Sequence, residues 1–313
     1  MISEEDKIML ETLYWWGIPT LFRCKNDPDP KNCDIALVGV PHSTGNGTTE
    51  RDQHLGPRAV RNISAMLRRS HLEFGIDPWK QSKIHDLGDV PFPEANDNEK
   101  CIERISSFYD QIADANKPVV SIGGDHSITG GIVQSLAKKN SKLTKGNKVS
   151  LVHFDAHTDT YPNDNLIDHG CMFYHAPKEG LIDPSHSIQI GIRTEYEKDS
   201  HEFQVIDAAT ANDISAEQMI ESIQKRVGKL PVYLTFDIDC LDPAFAPGTG
   251  TPVVGGLSTD KALKIVRGLT ELNIIGFDLV EVSPQYDHAE ITALAGATII
   301  LEYLYLLGNK KKG

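Results

Sequence analysis

From about residue 34 onward, short apolar runs alternate with longer amphipathic stretches. Asp34–Val40, Lys117–Ile122, Val149–Phe154, Ser187–Ile192, Phe203–Asp207, Val232–Phe236 and Asn273–Val282 have the length and aliphatic content of buried strands. Helical patterning fills Arg58–Leu67 after Gly56-Pro57, Ser127–Lys138 after Gly123-Gly124, and Ile291–Leu307. Two further helices are predicted to start at Ser215 and Ser258. The order Ser215-Ala216-Glu217-Gln218 is a capping box, in which the first hydroxyl and the fourth side chain satisfy each other's backbone N–H. Lys139–Lys148 is polar and basic and reads as a solvated loop. Strands alternating with helices predict a parallel sheet covered on both faces, an α/β fold. No linker, composition break or repeat divides the chain. Residues 1–313 are therefore expected to form a single domain, with 1–33 a peripheral segment and 308–313 a tail.

Composition narrows the function classes. The chain is 40 % hydrophobic and 24 % charged, which is ordinary for a globular protein. Lys and Arg number 31 against 44 Asp and Glu, a net charge of −13. That argues against a nucleic-acid partner, which asks for a basic face. It suits a small cationic ligand, although acidity by itself serves solubility equally well. The start, Met1-Ile2-Ser3-Glu4-Glu5-Asp6, lacks the basic and apolar regions of a signal peptide. The apolar C-terminal helix is interrupted by Glu302, so no membrane span is expected. Five scattered cysteines form no CxxC pair, and a reducing cytoplasmic location fits them.

The chemistry lies at the ends of the strands. Asp155-Ala156-His157-Thr158-Asp159 follows Val149–Phe154, and Asp237-Ile238-Asp239 follows Val232–Phe236. Strand alternation sends Asp155, His157 and Asp159 to one side, and likewise Asp237 and Asp239. Gly124-Asp125-His126 closes a third strand. In open parallel sheets ligands bind at these carboxyl ends. His126, Asp155, His157, Asp159, Asp237 and Asp239 supply two imidazoles, four carboxylates and no thiolate. Such oxygen-rich sets favour Mn²⁺, Mg²⁺ or Fe²⁺ over structural zinc. Four carboxylates exceed the needs of one ion and suit two, which points to metal-assisted hydrolysis.

Each feature taken singly is ambiguous. Asp-x-Asp also occurs in turns and ion pairs. His126 could be a helix N-terminal residue, and Asp125 could cap that helix or brace His126. His153, deeper in its strand, reads as a hydrogen-bonded core histidine rather than a ligand. Gly248-Thr249-Gly250 lacks the lysine of a phosphate loop. It is the joint occurrence at three strand ends that makes the case.

Gly123-Gly124-Asp125-His126-Ser127, Asp155-Ala156-His157-Thr158-Asp159 and Phe236-Asp237-Ile238-Asp239-Cys240-Leu241-Asp242-Pro243 resemble the three signatures of the ureohydrolase (arginase/agmatinase) family. The third continues through Ala244 to Pro252, and the likeness runs from about Asp34 to Leu307. The stretch from Asp168-His169-Gly170 to Glu281-Val282-Ser283-Pro284 is most similar to the bacterial agmatinase branch. The resemblance implies a three-layer α/β/α arginase-like fold with a mostly parallel central sheet and two Mn²⁺ ions per subunit. By position, His126, Asp155, Asp159 and Asp237 would hold one ion. Asp155, His157, Asp237 and Asp239 would hold the other, with Asp155 and Asp237 bridging. The reaction implied is attack of a metal-bridging hydroxide on a guanidinium carbon, with agmatine and water giving putrescine and urea. Glu281 matches the residue that holds the guanidinium, and His169 the loop histidine that shuttles a proton to the departing amine. Asp159 thus counts both as a ligand and as part of the catalytic set, with Glu281 and His169. The resemblance further implies a homo-trimer or hexamer and a place in polyamine biosynthesis.

The pattern departs from the family in places. The segment Thr160–Asp168 lacks the polar Asn/Thr/Ser pattern with which arginases hold an α-amino acid, and it is more acidic. A decarboxylated, doubly cationic substrate fits it better than arginine. The loop His42–Gly56 replaces a Gly- and Arg-rich run with Gly45-Asn46-Gly47-Thr48-Thr49-Glu50-Arg51-Asp52-Gln53-His54. Two alternatives follow: an arginase, or a guanidino-acid hydrolase with Arg51 as the cation for a substrate carboxylate. A non-catalytic binding protein should have lost ligands, and none is missing here. Cys171 stands where Thr or Ser is expected and has no assigned role.

Overall fold

The computed structural model describes residues 2–11, 16–45, 51–71, 75–163 and 167–310. Among the described residues nine parallel strands form one sheet: β1 (Lys25–Asn26), β2 (Ile35–Val40), β3 (Ile84–Asp89), β4 (Val119–Gly123), β5 (Ser150–Phe154), β6 (Ile188–Ile192), β7 (Gln204–Asp207), β8 (Pro231–Asp237) and β9 (Asn273–Val280). Their spatial order is β1-β3-β2-β4-β9-β8-β5-β6-β7. The last strands to be made, β8 and β9, fill the centre between β4 and β5. The helices are α1 (Glu4–Glu11), α2 (Gly56–Ser64), α3 (Asn98–Asp114), α4 (Ile128–Leu136), α5 (Met172–His175), α6 (Ala208–Asp213), α7 (Ala216–Val227), α8 (Thr259–Gly268) and α9 (Ile291–Lys310).

The pleat assigns the two faces. Leu37, Val120, Val152, Leu234 and Phe277 point into one core with residues of α2, α7, α8 and α9. Their strand neighbours Val38, Val119, Leu151 and Tyr233 point into a second core with α3, α4 and α5. Both faces are dry, which is why these strands read as continuous apolar runs rather than alternating ones. The three-layer α/β/α expectation holds, and the sheet is parallel throughout. The capping box at Ser215 and Gln218 is formed, and Ser258 caps α8 through the Lys261 N–H.

Six of the described helices and strands, β1, β3, α1, α3, α5 and α6, were not anticipated from sequence. Strand β3 carries His85, Asp86, Gly88 and Asp89, too polar a run to read as a strand. It is held inside by the buried Arg61 guanidinium, whose Nε and Nη2 lie 2.8 and 2.9 Å from the two Asp86 oxygens. Helix α3 buries Cys101, Ile105, Tyr109 and Ile112 along one stripe, and β1 is only two residues long. The segment 1–33 is not peripheral throughout. Leu21 and Phe22 are fully buried, Phe22 lies edge-on to Trp79, and β1 pairs with β3. The cause is that Leu21, Phe22 and Cys24 complete the core beside α2 and β3. Residues 311–313 of the expected tail lie outside the described residues.

Candidate metal centre

A row of polar residues crosses the middle of the sheet. Ser121 on β4 is in register with Asp278 on β9, Asp278 with Thr235 on β8, Thr235 with His153 on β5, and His153 with Gln189 on β6. All five are fully buried, on the face that α3 and α4 cover. Burying so many polar groups is tolerable only if each is hydrogen-bonded. Asp278 accepts bonds from the Tyr233, Thr129 and Thr235 hydroxyls. The row forms a floor beneath the carboxyl ends of four adjacent strands, β4, β9, β8 and β5. His126, Glu281, Asp237 and Asp155 stand at those ends.

The convergence of these side chains does not come from strand alternation. β5 stops at Phe154, and Asp239 sits in a 3₁₀ turn, Ile238–Cys240. Asp159 and Glu281 have φ of +51° and +67°, the left-handed region that non-glycine residues avoid. Strain of this kind costs on the order of 1–3 kcal/mol and concentrates at functional sites. β9 accordingly ends at Val280, two residues before the expected end, because the chain turns at Glu281. Gly124 makes room for the turn after β4. A Cβ there would meet the His42 carbonyl oxygen at 1.6 Å.

The six expected ligands are together. His126 Nδ1 lies 2.8 Å from Asp159 Oδ2, 3.1 Å from Asp155 Oδ2 and 3.3 Å from Asp237 Oδ2. His157 Nδ1 lies 3.0 Å from Asp239 Oδ2 and 3.3 Å from Asp155 Oδ1. Asp155 therefore belongs to both groups, as a bridging carboxylate should. Asp237 turns one oxygen toward His126, and its other oxygen accepts the Asp239 N–H at 2.8 Å.

These donors fit a pair of divalent ions. Thr235 donates its only proton to Asp278, so it must accept from His126 Nε2, 2.8 Å away. The His126 proton then sits on Nε2, and Nδ1 presents a lone pair to the carboxylates. That nitrogen is buried without a hydrogen-bond partner. Charge makes the same point. Burial, followed by repulsion from neighbouring carboxylates, pushes Asp237 well above the usual carboxylate range and raises Asp239. Burial opposes charging of His126 and His157, yet the surrounding aspartates outweigh it. His126 is held well above its ordinary value and His157 is pushed up to about 12. Protons thus compete for the positions that divalent ions would neutralise.

His153 also approaches Asp155, with Nε2 2.7 Å from Oδ2, and could be counted among the ligands. Its tautomer decides otherwise. Gln189 Nε2 is within hydrogen-bond distance of both the Thr158 carbonyl (2.7 Å) and His153 Nδ1 (2.9 Å). The carbonyl can only accept, which fixes the amide so that its nitrogen donates to His153 Nδ1. His153 therefore carries its proton on Nε2 and donates it to Asp155. It is a hydrogen-bonded core histidine that orients a ligand. Asp125 Oδ1 accepts the Ser127 N–H at 3.1 Å in the turn before α4, and Oδ2 takes the Thr44 N–H and hydroxyl at 2.7 Å each. It pins the 42–44 loop.

Glu281 is buried beside the cluster. Oε1 accepts the His126 main-chain N–H at 2.8 Å, and Oε2 accepts from Gln53 Nε2 at 3.0 Å. His169 Nδ1 lies 3.6 Å from Oε1. Burial pushes Glu281 up to about 7, although His169 pulls it down. Burial disfavours the charged form of His169, but Glu281, Asp125 and Asp159 raise it overall. Gln53 is a site residue missed in the sequence. It sits in the loop whose family pattern is broken, and its only signal there was that departure. Residues 46–50 of that loop lie outside the described residues, as do Asp164, Asn165 and Leu166 of the acidic segment.

A cavity of about 810 Å³ opens over the cluster, within the range of small-molecule sites. Its wall includes His157, Asp159, Asp237, His169 and Glu281, and farther out Glu195, Glu197, Glu202 and Lys178. Arg51, the candidate cation for a carboxylate, does not line it. Its guanidinium stacks over Tyr286, 4.3 Å from the ring centre. Cys171 is buried with its thiol pushed up to about 12 by desolvation, so it is inert.

Residues 33–305 match the arginase family. An agmatinase of Photorhabdus laumondii is 48 % identical over 315 residues, spanning 99 % of this chain and 97 % of that protein. A hypothetical agmatinase from Burkholderia thailandensis superposes with a TM-score of 0.89 at 42 % identity, covering 96 % of this chain and 94 % of the other. Proclavaminate amidino hydrolase from Streptomyces clavuligerus superposes with a TM-score of 0.87 at 34 % identity, covering 96 % and 100 %.

Proposed function

The chain belongs to the arginase family, and we propose that it is an agmatinase, hydrolysing agmatine to putrescine and urea. The observation that carries the reading is the His/Asp cluster joined through His126 to the buried Glu281, at the inner end of an acid-walled cavity. Agmatine carries a guanidinium at one end and an ammonium at the other. The cavity wall has acidic groups to receive both, whereas a guanidino acid would want a cation where Arg51 is turned away.

A guanidinium is resonance-stabilised and its carbon is a poor electrophile, so the reaction needs a strong nucleophile and exact placement. A pair of divalent ions, when bound, supplies a water of lowered pKa at neutral pH. His126, Asp155, Asp159 and Asp237 would hold one ion, and Asp155, His157, Asp237 and Asp239 the other. The oxygen-rich donor set favours manganese. Glu281 holds the guanidinium through charge-assisted bonds, its own carboxylate fixed by the His126 N–H and Gln53. As the water oxygen bonds to the guanidinium carbon, the bond from that carbon to the aminobutyl nitrogen breaks. His169, within reach of Glu281, gives its proton to the departing amine.

The same reading takes residues 1–313 as one domain, acting in the cytoplasm in polyamine biosynthesis, as a homo-trimer or hexamer. Among the described residues no helix is long and apolar enough to cross a membrane. The test is a panel of agmatine, arginine and 4-guanidinobutanoate assayed for urea with manganese-loaded protein. Faster turnover of either acid than of agmatine would refute the substrate assignment.

A further inference from the structure

The cavity wall is wired to the cluster through the core of the sheet. His201 lies on that wall, between β6 and β7, and is half-buried against the Tyr196 and Phe203 rings. Its Nε2 is 2.7 Å from Gln189 Oε1. The Thr158 carbonyl has already fixed the Gln189 amide with its oxygen toward His201, so His201 donates. The Gln189 nitrogen donates to His153 Nδ1, and His153 Nε2 donates to Asp155 Oδ2. Each proton in this chain faces one acceptor, the two amide protons of Gln189 being shared between the Thr158 carbonyl and His153 Nδ1, and the carbonyl fixes the direction of every link. Burial of His201 beside His153 lowers its pKa, which keeps the ring neutral and able to serve as a single-direction donor.

We propose that His201 is a positioning residue: through Gln189 and His153 it fixes the orientation of the shared carboxylate of Asp155, and through Gln189 it also pins the Thr158 carbonyl next to Asp159. This rests on Asp155 and Asp159 being metal ligands. The hydrogen bonds that orient metal ligands characteristically matter about 10- to 100-fold to metal affinity or activity. His201 is two residues farther out than such a partner, so the lower end of that range applies.

The test uses full-length protein with Mn²⁺, and Co²⁺ as a coloured probe, in the parent and in His201→Phe, His201→Asn and His201→Gln. Glutamine can place an N–H where Nε2 stood; asparagine places one where Nδ1 stood, too short to reach Gln189. Melting temperature verifies folding. In the Phe and Asn variants, Mn²⁺ affinity measured against a competing chelator falls about 10-fold, the Co²⁺ visible spectrum changes, and kcat falls while KM for agmatine stays within about twofold. The Gln variant restores all three. If Phe does not fold, the Asn and Gln pair decides. Parental Mn²⁺ affinity and Co²⁺ spectrum in the Asn variant, or a change in KM alone, would overturn the inference and leave the proposed function standing. A parent that binds no pair of ions would instead overturn that function, and this inference with it.

Discussion

Glu281 and His126, 155 positions apart in the chain, are tied by a 2.8 Å hydrogen bond from the His126 main-chain N–H to Glu281 Oε1. The bond crosses the ends of neighbouring strands β4 and β9 and sets the proposed guanidinium anchor directly against the proposed metal cluster. Changing Glu281 to Gln keeps the shape and one of the two acceptor oxygens but removes the charge. Metal content is expected to stay at the parental level. KM for agmatine should rise about 10- to 100-fold, the worth of a charge-assisted pair of hydrogen bonds. Steady-state kinetics with metal analysis on the same sample check this.

The same residue predicts a pH dependence. Burial pushes Glu281 up to about 7, and only the ionised form holds a guanidinium. That value is for the metal-free protein; bound divalent ions favour the carboxylate, so the acid limb of kcat/KM in the loaded enzyme should lie below 7, and it should vanish in Glu281→Gln. Stability runs the other way. A carboxyl whose folded pKa exceeds its unfolded value favours folding when protonated, and that contribution is lost as pH rises through about 7. Metal-free Glu281→Gln should thus be more stable than the parent at pH 8, by on the order of 1–3 kcal/mol, in chemical denaturation.

His169→Ala removes the proposed proton donor and leaves the ligands untouched. kcat should drop about 100- to 10,000-fold with metal content unchanged. Full activity in this variant would remove the shuttle role.

Thr235→Val replaces the hydroxyl that ties His126 Nε2 to Asp278. The valine fills the space but leaves two buried polar groups short of a partner, at a cost of roughly 1–3 kcal/mol. It also frees His126 to change tautomer, so manganese affinity should fall about 10- to 100-fold. Calorimetry and metal titration separate the two effects.

Asp237→Asn should lose metal and activity together, since Asp237 stands in the proposed ligand sets of both ions. An Asn variant with two ions bound and normal urea release would contradict that placement.

Much of the fold was legible because strands with two dry faces write themselves as apolar runs, and β2, β4, β5, β6, β8 and β9 all do so. Strand β3 was not, because its inward-facing Asp86 is made tolerable by Arg61, a partner 25 positions away that no local pattern reveals. The ligands were legible as residue types in short motifs. How they converge was not: alternation gave the right grouping for the wrong reason, since Asp159 and Glu281 reach the site through left-handed backbone. Gln53 and Gln189 were invisible as site residues, because single amides acquire their meaning only from what lies opposite them in space.

The central claim is that two divalent ions sit in this cluster. Crystals soaked in Mn²⁺ and measured at the manganese absorption edge test it most directly. Two anomalous peaks roughly 3.5–4 Å apart are expected, one against His126 Nδ1 and one against His157 Nδ1, with Asp155 between them. An empty cluster, or a single peak away from both imidazoles, would contradict the account.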